Sequence, residues 1–330
     1  MRLIDCTLRD GGNLNNWKFS DSDISRLVGH LDAAGVDLIE VGYRGGSGSK
    51  RDTDSGKTAN VPATLLNSLP RLTRAELAVM AIPKVCSPAL LDDLVDTPVQ
   101  WVRVAVYPQD AKLAYSFVSH LKRRGHHVGV NLMAATYATP AETIDIAKNA
   151  ESAGADMFYI ADSFGAMSPQ QVDAYIRRLV DAVDIEIGFH GHNNLGLAFV
   201  NAFAARNAGA TCLDTSLCGM ARGAGNLVTE QVIASAGWLL DDRAVNLQDA
   251  LCAAELVYKN YMAEAMPVRR REIECGLGNI HYYSYADFQA VAERFGVDRV
   301  HLMSAVSDSR EVRASLDRIE STARLLTEAA

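Results

Sequence analysis

The sequence predicts a TIM-type (β/α)8 barrel followed by a C-terminal helical extension. Short apolar runs alternate with helix-like segments over about the first 240 of the 330 residues. Eight runs are rich in Val, Ile and Leu without clean polar alternation, as expected of parallel strands buried on both faces. The turn sequences AGVD, AGAD and AGAT recur at helix-to-strand junctions, at residues 34–37, 153–156 and 208–211.

The strands are predicted from their β-branched and apolar content and from the turn residues around them. An open doubly wound sheet is the alternative, but it usually has fewer strands, and the G-x-G-x-x-G turn after the first strand is missing. The predicted strands are Leu3–Arg9, Leu38–Tyr43, Leu77–Pro83, Val102–Tyr107, Val128–Met133, Met157–Asp162, Ile185–His190 and Cys212–Leu217.

The helices are predicted from apolar residues at helical spacing, and most end at or just before a glycine. The predicted helices are Ser20–Gly35, Ala111–Gly125, Pro140–Gly154, Ser168–Val183, Leu195–Gly209 and Leu227–Leu240. We assign 1–240 to a metal-dependent catalytic barrel and 241–330 to a helical extension, with helical segments around 247–264, 286–295 and 308–329. The extension is expected to cap the barrel mouth or form a dimer interface, and a homodimer is expected.

The composition is that of a globular protein, with 48% hydrophobic and 22% charged residues. The net charge of −8 argues against a nucleic-acid partner. No apolar run is long enough to span a membrane. The six cysteines form no CxxC pair and are interpreted as free thiols of a reducing compartment, so a cytoplasmic location is expected.

The most informative motif is F-H-G-H-N-N at 189–194. Residues two apart on a strand point to the same side, so His190 and His192 are expected to face one region. Imidazole is the commonest metal ligand in proteins. A hydrogen-bonded pair of core histidines is the alternative interpretation.

In this fold the active site lies at the carboxyl ends of the strands. Asp10 falls there with His190 and His192, and this set of two imidazoles and one carboxylate favours a divalent ion with open coordination positions. Mn²⁺ and Mg²⁺ are the main candidates, with Fe²⁺ and Zn²⁺ as others. Non-haem iron oxygenases use the same ligand types, so the ligands alone leave the reaction open.

Other polar residues fall at the same rim. The Arg9 guanidinium can hold a carboxylate or stabilise a developing enolate. Asn13 and Glu40 are assigned to substrate binding. The polar loop 44–60 is either a solvated loop or a lid over the barrel mouth, and in the second case Arg44 is expected to hold an anionic substrate.

Four motifs together resemble the DRE-TIM metallolyase superfamily, also called HMGL-like, and most closely its 4-hydroxy-2-oxovalerate aldolase branch. The resemblance covers about residues 1–240. The motifs are D-C-T-L-R-D-G at 5–11, A-D-S-F-G-A-M at 161–167, F-H-G-H-N-N-L-G-L-A at 189–198 and G-M-A-R-G-A-G-N at 219–226.

The resemblance implies a metal-dependent carbon–carbon lyase that acts on a 2-oxo acid and an aldehyde through a pyruvate-type enolate. It implies that Asn226 lies at the metal with Asp10, His190 and His192. Arg9 is similar to the arginine that stabilises the enolate, and Ser163 to the residue that receives the substrate carboxylate. Tyr282 is similar to a C-terminal tyrosine that helps acid–base transfer. A dehydrogenase partner is left open by the sequence.

One position departs from the aldolase pattern. Where those aldolases carry a histidine that acts as the base, this chain has Asn13, whose amide cannot accept a proton at neutral pH. His281, Tyr282, Tyr43 and a metal-bound hydroxide are the candidate bases. The alternatives are an acyl-CoA-dependent Claisen-condensing synthase of the same superfamily and a non-catalytic binding relative.

Overall fold

The computed structural model describes residues 1–47, 54–163, 165–222, 224–241, 243–262, 274, 284–307 and 314–328. The chain divides into two compact units, Met1–Ala263 and Glu264–Ala330. The first unit continues past the predicted boundary at residue 240, because the helix Leu247–Val257 packs against the helix Asp21–Ala34. Among the described residues, no helix combines the length and the apolar content needed to cross a bilayer.

The first unit is a closed barrel of eight parallel strands, which confirms the predicted TIM fold. Each strand pairs with the next along the chain, and β1 closes the barrel against β8. The strands are β1 Arg2–Asp5, β2 Leu38–Tyr43, β3 Glu76–Ala81, β4 Val99–Val106, β5 His127–Leu132, β6 Met157–Asp162, β7 Glu186–Gly191 and β8 Cys212–Thr215.

Three strands, β1, β3 and β8, are shorter than predicted, and β1 and β8 end beside the site. β1 ends at Asp5 rather than Arg9, because a π-helical turn over Thr7–Gly11 takes over, and β8 ends at Thr215 rather than Leu217. At the start of that turn, the amide of Asp10 donates to the carbonyl of the preceding residue Cys6 at 2.7 Å. Such wide turns are rare and occur often at functional sites.

The helices cover the barrel from outside. Serine or threonine caps begin several of them, including a capping box at Thr139 and another at Ser168. The predicted helix over 227–240 is broken at Ser235. The helices of the first unit are Gly12–Asn15, Asp21–Ala34, Ala63–Ser68, Lys112–Arg123, Pro140–Ser152, Pro169–Val180, Ala198–Asn207, Thr229–Ala234, Ala236–Leu239 and Leu247–Val257.

The barrel interior is filled in layers. Toward the amino ends of the strands the layer is mainly apolar, and it consists of Ile4, Leu38, Ala78, Trp101, Met157, Tyr159 and Cys212. Above it the buried residues become charged, with Glu40, Arg103, His190 and Asp214 all at most 5% exposed. This change from apolar to charged marks the floor of the site.

The second unit contains the helices Tyr285–Phe295, Arg299–Ser307 and Leu316–Glu328. They pack around a small core that includes Phe288, Leu302 and Ile319. The predicted helical character of this region is confirmed. The prediction placed helices at 286–295 and 308–329 and missed Arg299–Ser307.

Candidate active site

Asp10, His190 and His192 meet at the carboxyl end of the barrel. The atoms that face one another are Asp10 Oδ2 and the Nε2 atoms of the two imidazoles. His190 Nε2 lies 3.4 Å from His192 Nε2, and Asp10 Oδ2 lies 3.6 Å from the first and 4.0 Å from the second. The point equidistant from these three atoms, in their plane, lies about 2.1 Å from each of them. This distance is a typical bond length between such ligands and Mg²⁺ or Zn²⁺.

The outer nitrogens of both imidazoles face hydrogen-bond acceptors. His190 Nδ1 lies 2.9 Å from a carboxylate oxygen of Asp214, and His192 Nδ1 lies 3.3 Å from the Gly225 carbonyl. Each Nδ1 therefore carries the proton, and each Nε2 presents a lone pair to the centre. Two lone pairs and a carboxylate oxygen then converge without a proton between them, an arrangement that a cation stabilises.

The electrostatics of Asp10 and His192 favour this protonation state. Burial disfavours the ionised form of Asp10, but the charge of Arg9 opposes this effect and the pKa of Asp10 lies below its usual range. Burial and the neighbouring His190 lower the pKa of His192 to about 4. An ionised carboxylate and a neutral imidazole are the forms that bind metal ions.

Asn226 lies beside the triad. His192 and Asn226 form an isolated antiparallel bridge, and the Asn226 amide nitrogen lies 2.8 Å from Asp10 Oδ2. The residue is 2% exposed, and its Oδ1 has no hydrogen-bond partner within the described parts of the chain. A buried amide oxygen without a partner is costly, and a bound cation would satisfy it.

A second group of possible ligands, Cys6 with His190 and Asp214, is less suited to a metal. The Cys6 thiol donates to the Thr215 carbonyl at 3.0 Å, and burial raises its pKa well above the usual value. Asp214 is already bound by Arg103, whose terminal nitrogen lies 2.6 and 2.9 Å from its two oxygens. Asp214 therefore supports His190 from outside the triad.

Arg9 lies beside Asp10 and is fixed by two acids. Its NH1 atom lies 3.0 Å from Asp10, and its Nε donates to Glu40 at 2.6 Å. The Trp17 indole also donates to the Arg9 carbonyl at 2.8 Å. The π-helical turn thus directs the Arg9 and Asp10 side chains to one site, which successive residues of a strand would not do.

Gly12 is required for packing. Its backbone is right-handed helical, so the turn itself does not need a glycine. A Cβ at this position would overlap the indole ring of Trp17. Gly12 therefore serves close packing rather than backbone freedom.

Three further residues were predicted to bind substrate, and in the structure each of them contacts other groups of the protein. Glu40 is fully buried between Arg9 and Arg103, with no exposed oxygen for a substrate. Asn13 donates to Asp10, at 2.9 Å to the carbonyl and 3.2 Å to the carboxylate. The Arg44 guanidinium, 13% exposed, is paired with Asp93 and donates to the Val61 carbonyl.

Ser163 follows β6, and its hydroxyl oxygen accepts from the Ala134 amide at 2.9 Å. Its carbonyl accepts from Arg222 at 3.4 Å. Tyr282 and His281 lie outside the described residues. Burial raises the pKa of Tyr43 to about 12, so this third candidate base is protonated at neutral pH.

Sequence reasoning missed Arg103 and Asp214. The signal was a single charged residue within an apolar strand, as in V-R-V at 102–104 and L-D-T at 213–215. A charge in the middle of a buried strand needs a partner across the barrel. Each of these two residues is the partner of the other.

Comparison with known proteins agrees with this geometry. The HMGL-like family model matches residues 1–257. The chain belongs to the HMGL-like family. It is 31% identical over 330 residues to a 4-hydroxy-2-oxovalerate aldolase of Geobacillus genomosp. 3, covering 100% of this chain and 98% of the relative. It is 33% identical to 4-hydroxy-2-oxovalerate aldolase 2 of Nocardia farcinica, over 89% and 85% of the two chains.

Solved structures give the same fold. The N-terminal domain of a putative aldolase from Bacteroides vulgatus superposes with a TM-score of 0.72 at 26% identity, over 87% of this chain and 96% of that one. The Bacillus subtilis HMG-CoA lyase superposes with a TM-score of 0.69 at 17% identity, over 82% and 97%. At that identity the lyase supports the fold alone.

The predicted membership of the DRE-TIM superfamily is confirmed, and so is an aldolase-like function of the carbon–carbon lyase class. The acyl-CoA-dependent alternative is not favoured by these relatives. DRE-TIM aldolases use a divalent metal, and the triad provides groups that could hold one.

Proposed function

We propose that this protein is a divalent-metal-dependent aldolase that cleaves a 4-hydroxy-2-oxo acid into a pyruvate-type 2-oxo acid and an aldehyde, or catalyses the reverse addition. The convergence of Asp10 Oδ2 with the Nε2 atoms of His190 and His192 carries the proposal. The relatives at 30–33% identity are 4-hydroxy-2-oxovalerate aldolases, which supports the substrate class.

Asp10, His190, His192 and Asn226 would hold the ion. Mixed oxygen and imidazole ligands favour Mn²⁺ or Mg²⁺, with Zn²⁺ as a further possibility. When bound, the ion supplies Lewis-acid polarisation of the substrate's 2-keto group. Because the described ligands include a single carboxylate, the ion would retain positive charge that suits an anionic 2-oxo acid.

Arg9 is assigned to the developing enolate. Its guanidinium is fixed from two sides by Asp10 and Glu40, so little reorganisation is needed when negative charge develops on the substrate oxygen. Glu40 is therefore assigned to positioning Arg9 rather than to substrate contact. Its full burial supports that assignment.

Ser163 is assigned to the substrate carboxylate. Its hydroxyl oxygen already accepts from the Ala134 amide, so its own proton can be donated outward. Asn13 remains assigned to substrate binding, and its contact with Asp10 supports a position beside the triad. Arg44 is an untested candidate for anion binding, and its pairing with Asp93 would have to open first.

Tyr282 remains a prediction as an acid–base residue. A protonated Tyr43, with its ring 5.9 Å from the Arg9 guanidinium, suits a proton donor better than a base. The homodimer and the cytoplasmic location also remain predictions, and a dehydrogenase partner remains open.

Hydrogen–deuterium exchange into the methyl group of pyruvate tests the proposal without knowledge of the aldehyde. We expect NMR in D2O to detect exchange with Mn²⁺ or Mg²⁺ present, loss of exchange after treatment with EDTA, and recovery when the metal is restored. Cleavage of a panel of 4-hydroxy-2-oxo acids should follow the same metal dependence. Full-rate exchange and cleavage by the chelated, metal-free protein would refute the metal role.

A further inference from the structure

Six side chains form a closed ring of contacts beneath the site, which we name the buried ionic ring. In order around it they are Asp10, Arg9, Glu40, Arg103, Asp214 and His190. On one side, Arg9 contacts Asp10 at 3.0 Å and Glu40 at 2.6 Å, and Glu40 contacts NH1 of Arg103 at 3.3 Å. This side of the ring includes the Arg9 guanidinium, which is assigned to the enolate.

The other side runs from Arg103 to the triad. NH2 of Arg103 lies 2.6 and 2.9 Å from the two oxygens of Asp214, and Asp214 accepts from His190 Nδ1 at 2.9 Å. His190 Nε2 closes the ring 3.6 Å from Asp10. Arg103 is the member that contacts both Glu40 and Asp214.

Arg103 is fully buried against an aromatic ring. Its side chain is 0% exposed, and its guanidinium carbon lies 4.4 Å from the centre of the Tyr159 ring. A planar guanidinium can contact two acids in different directions, which a single ammonium group does less well. In a dry interior, removing one member leaves charged partners unpaired, so the members depend strongly on one another.

We propose that Arg103 is a positioning residue for both halves of the site, which it aligns through Asp214 and Glu40 without touching the substrate. Through Asp214 it fixes the His190 ring with Nε2 toward Asp10. Through Glu40 it fixes the direction of the Arg9 guanidinium. The inference rests on the proposed metal-dependent function.

Arg103→Lys tests the proposal because it keeps the charge and removes the two-directional contact. We expect the Mn²⁺ dissociation constant, measured by calorimetry, to rise at least about 10-fold, as for other groups that orient metal ligands. We also expect kcat for cleavage of a 4-hydroxy-2-oxo acid at saturating Mn²⁺ to fall at least about 10-fold, because Arg9 is misaligned as well.

Arg2→Lys is the matched control. Arg2 also contacts two acids, Glu186 at 3.1 Å and Glu76 at 3.6 Å, and lies 4.8 Å from the Trp101 ring, but at the amino end of the barrel. Its substitution should leave both the Mn²⁺ dissociation constant and kcat within about 2-fold of the wild type. Changed values for Arg103→Lys alone would show that the effect belongs to the carboxyl end of the barrel and not to every arginine that contacts two acids.

Two near-isosteric substitutions separate the halves of the ring. Asp214→Asn should mainly weaken Mn²⁺ binding, whereas Glu40→Gln should mainly lower kcat at saturating Mn²⁺, each by about 10-fold. If Arg103→Lys does not fold, the difference between Asp214→Asn and Glu40→Gln tests the inference instead. Identical behaviour of Asp214→Asn and Glu40→Gln would then overturn the inference.

The outcomes distinguish this inference from the function on which it rests. Wild-type protein that binds no Mn²⁺ would overturn the proposed function and this inference with it. Wild-type protein that binds Mn²⁺, with a folded Arg103→Lys variant of unchanged dissociation constant and kcat, would overturn only the role of Arg103.

Discussion

Asp214 accepts a 2.9 Å hydrogen bond from Nδ1 of His190, and this contact decides which nitrogen of His190 faces the triad. Asp214 lies on β8 and His190 on β7, where the two residues are paired in register. The proton is thus held on the outer nitrogen before any ligand arrives. Such carboxylate–histidine contacts are a general feature of metal sites in proteins.

The first prediction concerns the ligands themselves. Asp10→Asn, His190→Ala and His192→Ala should each lower the Mn²⁺ content of the purified protein by at least about 10-fold, because each removes one of three converging donors. Elemental analysis after dialysis measures this. His120→Ala is the control, since that imidazole pairs with Asp92 away from the site. Full metal occupancy in all three ligand variants would contradict the assignment.

The second prediction concerns the amide beside the triad. Asn226→Ala removes the buried oxygen without a partner and the donor to Asp10, so Mn²⁺ affinity should fall about 10-fold. Asn226→Asp adds a second carboxylate and should keep or strengthen the affinity, at the cost of repulsion with Asp10 in the metal-free protein. Calorimetric titration of both variants compares them. Equal affinities for Ala, Asp and wild type would exclude Asn226 from the site.

The third prediction concerns pH. Glu230 is fully buried and accepts from the Cys218 amide at 3.1 Å, and burial raises its pKa to about 8. The neutral acid therefore stabilises the fold fully below about pH 4.5, and the contribution is lost as pH rises toward 8. Since each pKa unit corresponds to about 1.4 kcal/mol, the loss amounts to several kcal/mol.

Glu230→Gln tests the direction of this pH dependence of stability, because the Gln amide cannot ionise. The free energy of unfolding, measured with urea, should be similar for wild type and variant near pH 4.5. By pH 8 the variant should be the more stable of the two. A difference that does not change between these pH values would mean that Glu230 has no raised pKa in the folded protein.

The sequence predicts the barrel well because a strand buried on both faces consists mainly of apolar and β-branched residues, which can be recognised from composition. The predicted ranges of β2 and β6 match the structure residue for residue. The region after β1 is different, since L-R-D-G-G contains no local signal that separates a strand end from a π-helical turn. That turn depends on tertiary contacts, such as the bond from the Leu217 amide to the Thr7 hydroxyl at 2.8 Å.

The site was predictable where function requires a particular residue type at a particular spacing. His190 and His192 follow from strand periodicity, and Asp10 follows from its motif. The contacts that support these residues were not predictable from the sequence. Arg103 and Asp214 are 111 residues apart, and only barrel closure brings them together. For the same reason Glu40 was assigned to the substrate, although its contacts are with two buried arginines.

The fourth prediction concerns Gly12. Gly12→Ala would place a methyl group against the Trp17 indole, which should cost about 1–3 kcal/mol in the free energy of unfolding. In a Trp17→Leu background the same substitution should cost much less, so a double-mutant cycle should give a coupling of at least about 1 kcal/mol. Gly29→Ala is the control, because no atom of the described residues lies within 4 Å of its added Cβ. Additive effects of the Gly12 and Trp17 substitutions would rule out this packing role.

The fifth prediction concerns Asn13, the residue that replaces the base of the aldolases that this chain resembles. Its side chain donates to Asp10 at 2.9 and 3.2 Å, so a side chain at this position lies beside a predicted metal ligand. Asn13→His would introduce a group that can accept a proton at neutral pH, and general bases contribute about 10²–10⁴-fold to rate. We expect cleavage of 4-hydroxy-2-oxo acids to accelerate at least about 10-fold, with a rate that rises with pH around 6–7 as the imidazole loses its proton.

Asn13→Gln is the control for this substitution, because it changes size without adding a base. It should not accelerate cleavage and should not introduce the new pH dependence. If Asn13→His remains as slow as wild type while binding Mn²⁺ normally, proton removal from the substrate hydroxyl does not limit the rate. The wild-type protein would then already have an effective base, and Tyr282 and His281 would be the next residues to substitute.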